Sequence, residues 1–198
     1  MRIGLFGGTF DPPHVGHLMI AQIASEVAYL DRVDFIPAAI PPHKQQQVIT
    51  DMALRLDMVT ISLRSFSTFF VSTMEYERNG PSYTVDTVRA YRKRYPKDDL
   101  FLLLGADMYD NFPLWKDADQ ILQEVTLIVA PRPIQERVVE SQPVGPALHM
   151  KVIDLDMPAL EISSSWLRER LLAGLRVDPL LPEGVAKWIV ERGVYDRS

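Results

Sequence analysis

The chain of 198 residues contains no cysteine. Disulfide bonds, thiolate zinc sites and cysteine nucleophiles are therefore excluded. Long hydrophobic runs are also missing, because stretches such as FLLLGA at 101–106 are far too short to span a bilayer. The opening residues, MRIGLFGGTF, lack an apolar segment of signal-peptide length. These absences predict a soluble, cytoplasmic protein that makes no membrane contact.

Positive charge is scarce, since 21 lysines and arginines face 26 aspartates and glutamates, for a formal net charge of −5. A basic surface with broad affinity for nucleic acid is therefore excluded. An anionic ligand would need a local site, because the field of the whole chain opposes it. The length and the 47% hydrophobic content fit one domain over residues 1–198.

Apolar runs alternate with amphipathic stretches along most of the chain. The runs predict strands, and the amphipathic stretches predict helices. The predicted strands are 2–6, 33–37, 68–72, 100–104, 125–130 and 151–155, and the predicted helices are 17–30, 51–65, 85–95, 165–173 and 183–192. Thr50 is predicted to cap the helix at 51–65. This order predicts an α/β fold with a Rossmann-like, doubly wound parallel sheet that carries helices on both faces. Ligands of such sheets bind beyond the carboxyl ends of the strands.

The loop after the first predicted strand has the sequence GGTFDPPHVGH, residues 7–17. It matches neither the GxxxxGK[ST] phosphate loop nor the GxGxxG dinucleotide fingerprint. Two glycines allow the backbone to approach a ligand, and Asp-Pro-Pro at 11–13 predicts a rigid turn. The helix should begin near Val15, so that His14 and His17 lie at its positive end, with Gly16 leaving room between them. We interpret this loop as a cradle for phosphate oxygens.

The same string resembles the (T/H)xGH signature of the nucleotidylyltransferase superfamily, and its GGTFDPxHxGH form is similar to bacterial nicotinate-nucleotide adenylyltransferases. The resemblance implies transfer of the adenylyl group of ATP to nicotinate mononucleotide, which gives deamido-NAD (nicotinic acid adenine dinucleotide) and pyrophosphate in NAD biosynthesis. It implies in-line attack without a covalent intermediate, with Mg²⁺ held mainly by substrate phosphates. The catalytic residues it implies are His14, His17, Lys44 and Arg168.

Further segments extend the resemblance to residue 168. The segment PPHK at 41–44 implies phosphate contacts from Lys44 and His43. In ISSSWLRERL at 162–171, three serines precede a helix, and the resemblance implies that their amides and Arg168 hold the β- and γ-phosphates. This chain has Ser165 where the family usually has threonine. The full set of implied ATP-binding residues is Gly7, Gly8, Thr9, Phe10, His14, His17, Gly105, Asp107, Arg132, Ser163, Ser164, Ser165 and Arg168.

Three more segments bear on the nucleotides. Thr84 in SYTVDT is predicted to cap a helix, whose first amides suit a carboxylate, and the resemblance makes this the nicotinate site. It also implies an aromatic residue, Trp115, against the nicotinate ring, and ribose contacts from Gly105 and Asp107 in GAD. The implied residues for the mononucleotide are Lys44, Tyr83, Thr84, Val85, Trp115 and Lys116.

Other functions were weighed against this one. Pantetheine-phosphate adenylyltransferases usually carry threonine where His14 stands and are shorter, and cytidylyltransferases share HxGH but lack SYTxDT. A catalytically idle nucleotide sensor would have lost His17 or Arg168, and this chain keeps both. The oligomeric state stays open, a homodimer included. The interpretation requires the start of the helix after His14 and the start of the helix at the three serines to converge on one site.

Overall fold

A computed structural model describes residues 1–41, 48–78, 80–131, 151–158 and 160–196. Within these residues lies one six-stranded sheet of order β3-β2-β1-β4-β5-β6, and each neighbouring pair of strands is parallel. The strands are β1 (Arg2–Gly8), β2 (Arg32–Pro37), β3 (Phe69–Val71), β4 (Asp99–Gly105), β5 (Val125–Ala130) and β6 (Val152–Asp154). The predicted doubly wound parallel sheet is confirmed.

Helices connect the strands and continue after the sheet. The helices are α1 (Val15–Val27), α2 (Met52–Ser62), α3 (Met74–Glu77), α4 (Thr84–Arg94), α5 (Ala106–Asp110), α6 (Ala118–Glu124), α7 (Ser164–Leu172) and α8 (Val185–Arg192), with short 3₁₀ turns at Phe112–Leu114 and Asp178–Leu180. The prediction missed α3, α5 and α6, which are short. That residues 1–198 form a single domain stays a prediction.

Alternation along the strands builds a core on each face of the sheet. In β4, Phe101 and Leu103 pack on the face covered by α1 and α2. Leu100, Leu102 and Leu104 pack on the opposite face, against α4 and α6. Successive side chains of a strand point to opposite faces, so a continuous apolar strand is what a sheet covered on both faces requires.

A third apolar cluster fixes the last helices. Met58 of α2, Leu167 of α7 and Ile189 of α8 are all almost fully buried in it. Burial of each such side chain contributes about 1.5–3 kcal/mol. The cluster holds α7 and α8 against α2, and therefore near the carboxyl end of β1. No helix of the described residues is long and apolar enough to cross a bilayer.

Two predicted helix caps were wrong by one residue. Asp51, and not Thr50, caps α2 by accepting a hydrogen bond from the Ala53 amide at 2.8 Å. Tyr83 is the residue before α4, and Thr84 is the first residue within that helix.

Candidate active site

The strand order reverses between β1 and β4, whose neighbours lie on opposite sides. Such switch points are where ligands bind in open parallel sheets. Leu5 of β1 pairs with Leu102 of β4, so the same register brings Gly8 and Gly105 to the same edge of the sheet. The two loops predicted to bind ATP therefore leave the sheet side by side.

The two histidines of the first loop lie against each other at the start of α1. His14 is the residue before the helix, and His17 is its third residue. The His14 backbone N–H donates to His17 Nδ1 at 3.1 Å, and the two ring centroids are 3.7 Å apart. Because Nδ1 of His17 accepts this hydrogen bond, the proton of the neutral ring lies on Nε2. The neutral ring of His17 therefore carries a hydrogen-bond donor at Nε2.

His14 is the more buried of the two histidines, with 8% of its surface exposed. Its Nδ1 has no hydrogen-bond partner among the residues that the structure describes. Burial lowers the pKa of His14 from 6.5 to about 4, because an imidazolium is poorly solvated there. At neutral pH His14 therefore acts as a hydrogen-bonding group and carries no charge.

Glycines shape this loop for two different reasons. A Cβ on Gly16 would lie 3.0 Å from His14 Nδ1, so Gly16 leaves room for that ring, as the sequence predicted. A Cβ on Gly8 would lie 2.9 Å from the Phe10 ring, whereas one on Gly7 would meet no described atom within 4 Å. Gly8 therefore accommodates Phe10, and Gly7 faces open space.

The Phe10 ring belongs to the core. It is 1% exposed, and it packs edge-on against the His17 ring at a centroid distance of 4.9 Å. Its φ of 49° lies in the left-handed region that a phenylalanine rarely adopts, so the surrounding packing must hold it there. Phe10 therefore packs against the His17 ring and, at 1% exposure, offers almost no surface to a ligand.

The start of α7 meets the first loop, as the interpretation required. The Ser164 hydroxyl donates to the Pro12 carbonyl at 2.8 Å, and Arg168 Nη1 donates to the Asp11 carbonyl at 2.6 Å. The starts of α1 and α7 therefore converge on Asp11 and Pro12. Each helix start presents N–H groups without an intrahelical acceptor and the positive end of a helix dipole.

The three predicted serines have separate structural roles. Ser163 caps α7 by accepting from the Trp166 amide at 3.2 Å. Ser164 anchors the first loop, and Ser165 accepts a hydrogen bond from Arg168 Nη2 at 3.2 Å. The guanidinium of Arg168 is held by Ser165 and by Asp11, with about a quarter of the side chain exposed at the site.

The residues predicted to bind nicotinate also lie together. The ammonium of Lys116 stands 4.4 Å from the centre of the Tyr83 ring, directly before α4. Val85 is buried, and its side chain packs in the core. By helix geometry the amides of Thr84 and Val85 have no intrahelical acceptor. This arrangement combines free donors with a nearby cation.

Trp115 ends the 3₁₀ turn before α6. Its ring packs on Phe112 at a centroid distance of 5.2 Å and is half-buried. Its indole N–H is buried without a partner in the part of the chain that the structure describes. Gly105 caps α5, a Cβ there would meet no described atom within 4 Å, and Asp107 is exposed in the first turn of that helix.

The chain matches the family described as cytidylyltransferase-like over residues 5–170. It is 39% identical over 199 residues to the nicotinate-nucleotide adenylyltransferase of Bacillus subtilis (strain 168), with 98% of each chain covered. The chain belongs to the nicotinate-nucleotide adenylyltransferase family. Members of this family are nucleotidyltransferases.

Two further similarities agree with this family. A probable nicotinate-nucleotide adenylyltransferase of Halalkalibacterium halodurans is 42% identical over 195 residues, which cover 98% of this chain and 91% of the relative. The solved structure of Plasmodium falciparum nicotinic acid mononucleotide adenylyltransferase complexed with NaAD has a TM-score of 0.78 at 20% identity. It covers 98% of this chain and 97% of that one, and at this identity it supports the fold alone.

The sequence does not single out one buried arginine of this chain. Arg55 of α2 is 1% exposed and donates to the carbonyls of Thr9 at 2.9 Å, Ala38 at 2.8 Å and Thr50 at 2.9 Å. Burial lowers the pKa of Arg55, and the negative charge of Asp11 opposes that fall. Arg55 therefore links the loops after β1 and β2. The sequence gives no sign of this role, because arginine is common in a predicted amphipathic helix.

Asp11 and Tyr195 were also missed as contact partners. Asp11 is 2% exposed and accepts from the Tyr195 hydroxyl at 2.6 Å and from the Thr50 amide at 3.2 Å. The sequence predicted only a rigid turn at Asp11 and no chemistry at Tyr195. Three predicted site residues lie outside the described residues: His43, Lys44 and Arg132.

Proposed function

We propose that this protein transfers the adenylyl group of ATP to nicotinate mononucleotide. An oxygen of the mononucleotide 5′-phosphate attacks the α-phosphorus of ATP in line with the bond to the β-phosphate. The new P–O bond gives nicotinic acid adenine dinucleotide, and the broken bond releases pyrophosphate. The transfer is direct, so no covalent intermediate with the protein is needed. The attacking phosphate is already an anion near neutral pH, and it therefore requires no general base.

The observation that carries the proposal is the convergence of α1 and α7 on Asp11 and Pro12. Two helix starts supply backbone N–H donors, and His17 and Arg168 add side-chain donors beside them. A polyphosphate is the ligand that such a concentration of donors favours. This local site offsets the net charge of −5, which disfavours an anionic ligand elsewhere on the surface.

Each group has a role that follows from its placement. His17 donates from Nε2 to the phosphates and to the charge that develops on the leaving group. His14, neutral at pH 7, donates a hydrogen bond, and Arg168 supplies a permanent charge to the β- and γ-phosphates. Lys44, which resemblance assigns to the triphosphate, completes the proposed catalytic set. In this mechanism the protein accelerates the reaction by positioning the substrates and stabilising charge, as in phosphoryl transfer generally.

We place the nicotinate ring between the start of α4 and Trp115. The amides of Thr84 and Val85 donate to the carboxylate, and the Lys116 ammonium beside Tyr83 adds a positive charge. Stacking on the indole would contribute about 0.5–1.5 kcal/mol. The nicotinamide form of the substrate would present an NH₂ group to these N–H donors, and two donors cannot form a hydrogen bond with each other. The pocket therefore favours the acid. Gly105 and Asp107 are assigned to the adenosine ribose, because a carboxylate accepts from paired hydroxyls.

Mg²⁺ enters this proposal with the substrate. The described residues offer no group of three or more His, Asp or Glu side chains suited to a metal ion. Mg²⁺ would keep most of its ligands from phosphate and water, and it would neutralise charge on the triphosphate. We place the reaction in the cytoplasm, as the composition predicts, and leave the oligomeric state open.

The test is pyrophosphate release from ATP with four acceptors in parallel: nicotinate mononucleotide, its amide, pantetheine phosphate and none. Of the four mixtures, we expect rapid pyrophosphate release only in the one that contains ATP and nicotinate mononucleotide. Preferred release with pantetheine phosphate or the amide would assign a different acceptor. Binding of ATP without release in any mixture would support the idle sensor and refute the transferase.

A further inference from the structure

One hydrogen bond joins parts of the chain that are far apart in sequence. The Tyr195 hydroxyl donates to Asp11 Oδ1 at 2.6 Å, across 184 positions. Tyr195 follows α8 with a φ of 67°, which a tyrosine adopts only when its surroundings hold it there. Its ring packs against the apolar cluster of α2, α7 and α8. The contact therefore joins a buried carboxylate to a half-buried tyrosine at a fixed position.

Asp11 offers two kinds of acceptor to Arg168. Arg168 Nη1 donates to the Asp11 backbone carbonyl at 2.6 Å and lies 4.0 Å from carboxylate Oδ2. A carboxylate binds a guanidinium more strongly than a carbonyl does, because the hydrogen bond is charge-assisted. If the carboxylate lacked other donors, it would draw the guanidinium towards itself and away from a phosphate.

Both oxygens of that carboxylate are occupied by other donors. Oδ1 accepts from the Tyr195 hydroxyl, and Oδ2 accepts from the Thr50 amide at 3.2 Å. We propose that Tyr195 is a positioning residue, which weakens the pull of the Asp11 carboxylate on Arg168 so that the guanidinium stays directed to the substrate phosphates. The inference rests on the proposed function, since it assigns Arg168 to those phosphates.

The hydroxyl is suited to this role over the working range of pH. Burial, followed by the negative charge of Asp11, raises the pKa of Tyr195 far above its usual value. The group therefore stays protonated and remains a donor. A purely structural tether between α8 and the first loop would use the same contact, so the experiment must separate stability from phosphate binding.

The experiment measures the Kd for ATP by calorimetry, together with kcat and KM, for wild type and Tyr195→Phe. The phenylalanine keeps the packed ring and removes only the donor. We expect Tyr195→Phe to weaken ATP binding and raise KM for ATP about fivefold, the cost of one net hydrogen bond. KM for nicotinate mononucleotide should change by less than about twofold, because that substrate lies at α4.

Three further variants decide the mechanism. Asp11→Asn removes the competing charge, so Asp11→Asn/Tyr195→Phe should recover most of the ATP affinity lost in Tyr195→Phe. In Arg168→Gln, adding Tyr195→Phe should change ATP binding by less than about twofold, because the residue acted upon is gone. Tyr91→Phe is the matched control. The buried Tyr91 hydroxyl donates to buried Asp34 over a distance of 2.9 Å, and this pair lies away from the site. Tyr91→Phe should lower stability and leave ATP binding unchanged.

The outcomes separate the inference from the proposed function. Unchanged ATP affinity in Tyr195→Phe, a full effect in the Arg168→Gln background, or further loss in Asp11→Asn/Tyr195→Phe would overturn the inference. An equal loss of ATP affinity in Tyr91→Phe would also overturn it, because the effect would then be general. ATP binding by wild type without pyrophosphate release would overturn the proposed function alone, and no ATP binding by wild type would overturn both.

Discussion

The burial of His14 predicts a specific loss of stability in acid. Its pKa in the folded chain is lowered from 6.5 to about 4, because the ring is 8% exposed and the imidazolium is poorly solvated. Between these values the unfolded chain binds a proton that the folded chain does not. Stability therefore rises with pH across this window and is lost as the pH falls from the unfolded pKa towards the folded one.

The size of the effect follows from the shift. Each unit of difference in pKa corresponds to about 1.4 kcal/mol, so the fall from 6.5 to about 4 sets a ceiling of about 3.5 kcal/mol, reached when the pH lies below both values. Lowering the pH from about 7 to about 4.5 covers most of this window and should cost about 2 kcal/mol from His14 alone. A loss of that size is a large part of the stability of an ordinary domain.

The perturbation is His14→Asn, which keeps a polar side chain of similar reach and removes the titrating group. Urea unfolding of wild type and variant at about pH 7 and about pH 4.5 gives the free energy of unfolding in each case. Other groups titrate in both proteins, so their contribution cancels in the comparison. The acid loss of wild type should exceed that of the variant by about 2 kcal/mol. Equal losses in the two proteins would refute the link between burial and protonation at His14.

Three predictions concern the reaction itself. His17→Ala should lower kcat about 10²–10³-fold with an unchanged circular dichroism spectrum, and near-normal kcat in a folded variant would remove its role. Gly16→Ala places a Cβ 3.0 Å from His14 Nδ1, so it should displace that ring and lower kcat about tenfold, which kinetics at saturating substrate would measure. Nicotinate mononucleotide should exceed its amide by more than about tenfold in kcat/KM, through the amide donors at Thr84 and stacking on Trp115. Equal values for the acid and the amide would disprove the pocket.

The sheet could be predicted because its strands are apolar on both faces. The predicted strand 100–104 lies within β4 (Asp99–Gly105), and the predicted strand 125–130 coincides with β5. Local sequence decides such buried strands, since each residue faces a core. The long parallel crossovers then left the doubly wound arrangement as the expected topology.

Helix α6 (Ala118–Glu124) could not be predicted in the same way. Within it Ile121 is the fully buried residue, so it has almost no apolar periodicity. Its ends are held by contacts with α4 instead, where Arg89 pairs with Asp117 at 3.2 Å and Arg92 pairs with Glu124 at 2.6 Å. Tertiary contacts stabilise this helix, and a local pattern carries no record of them.

The first loop was predictable because its chemistry is local. Glycine widens the allowed backbone conformations, proline fixes φ and histidine can bind or release a proton near neutral pH, and all three follow one another within residues 7–17. The hydrogen bond from Tyr195 to Asp11 was not predictable, because neither residue is unusual in its own segment. Only the packing of α8 against α2 brings the two together.

In the proposed anion site, Arg55 supplies a buried positive charge. The loops after β1 and β2 turn backbone carbonyls inward, and carbonyl oxygens repel phosphate. Arg55 occupies the carbonyls of Thr9, Ala38 and Thr50 with its own N–H groups and places a positive charge beneath the loops. A charge buried at this depth is screened far less by salt than one on the surface. At the helix starts, Arg55, Arg168 and the two helix dipoles contribute positive potential, and the buried Asp11 carboxylate between the two arginines opposes it.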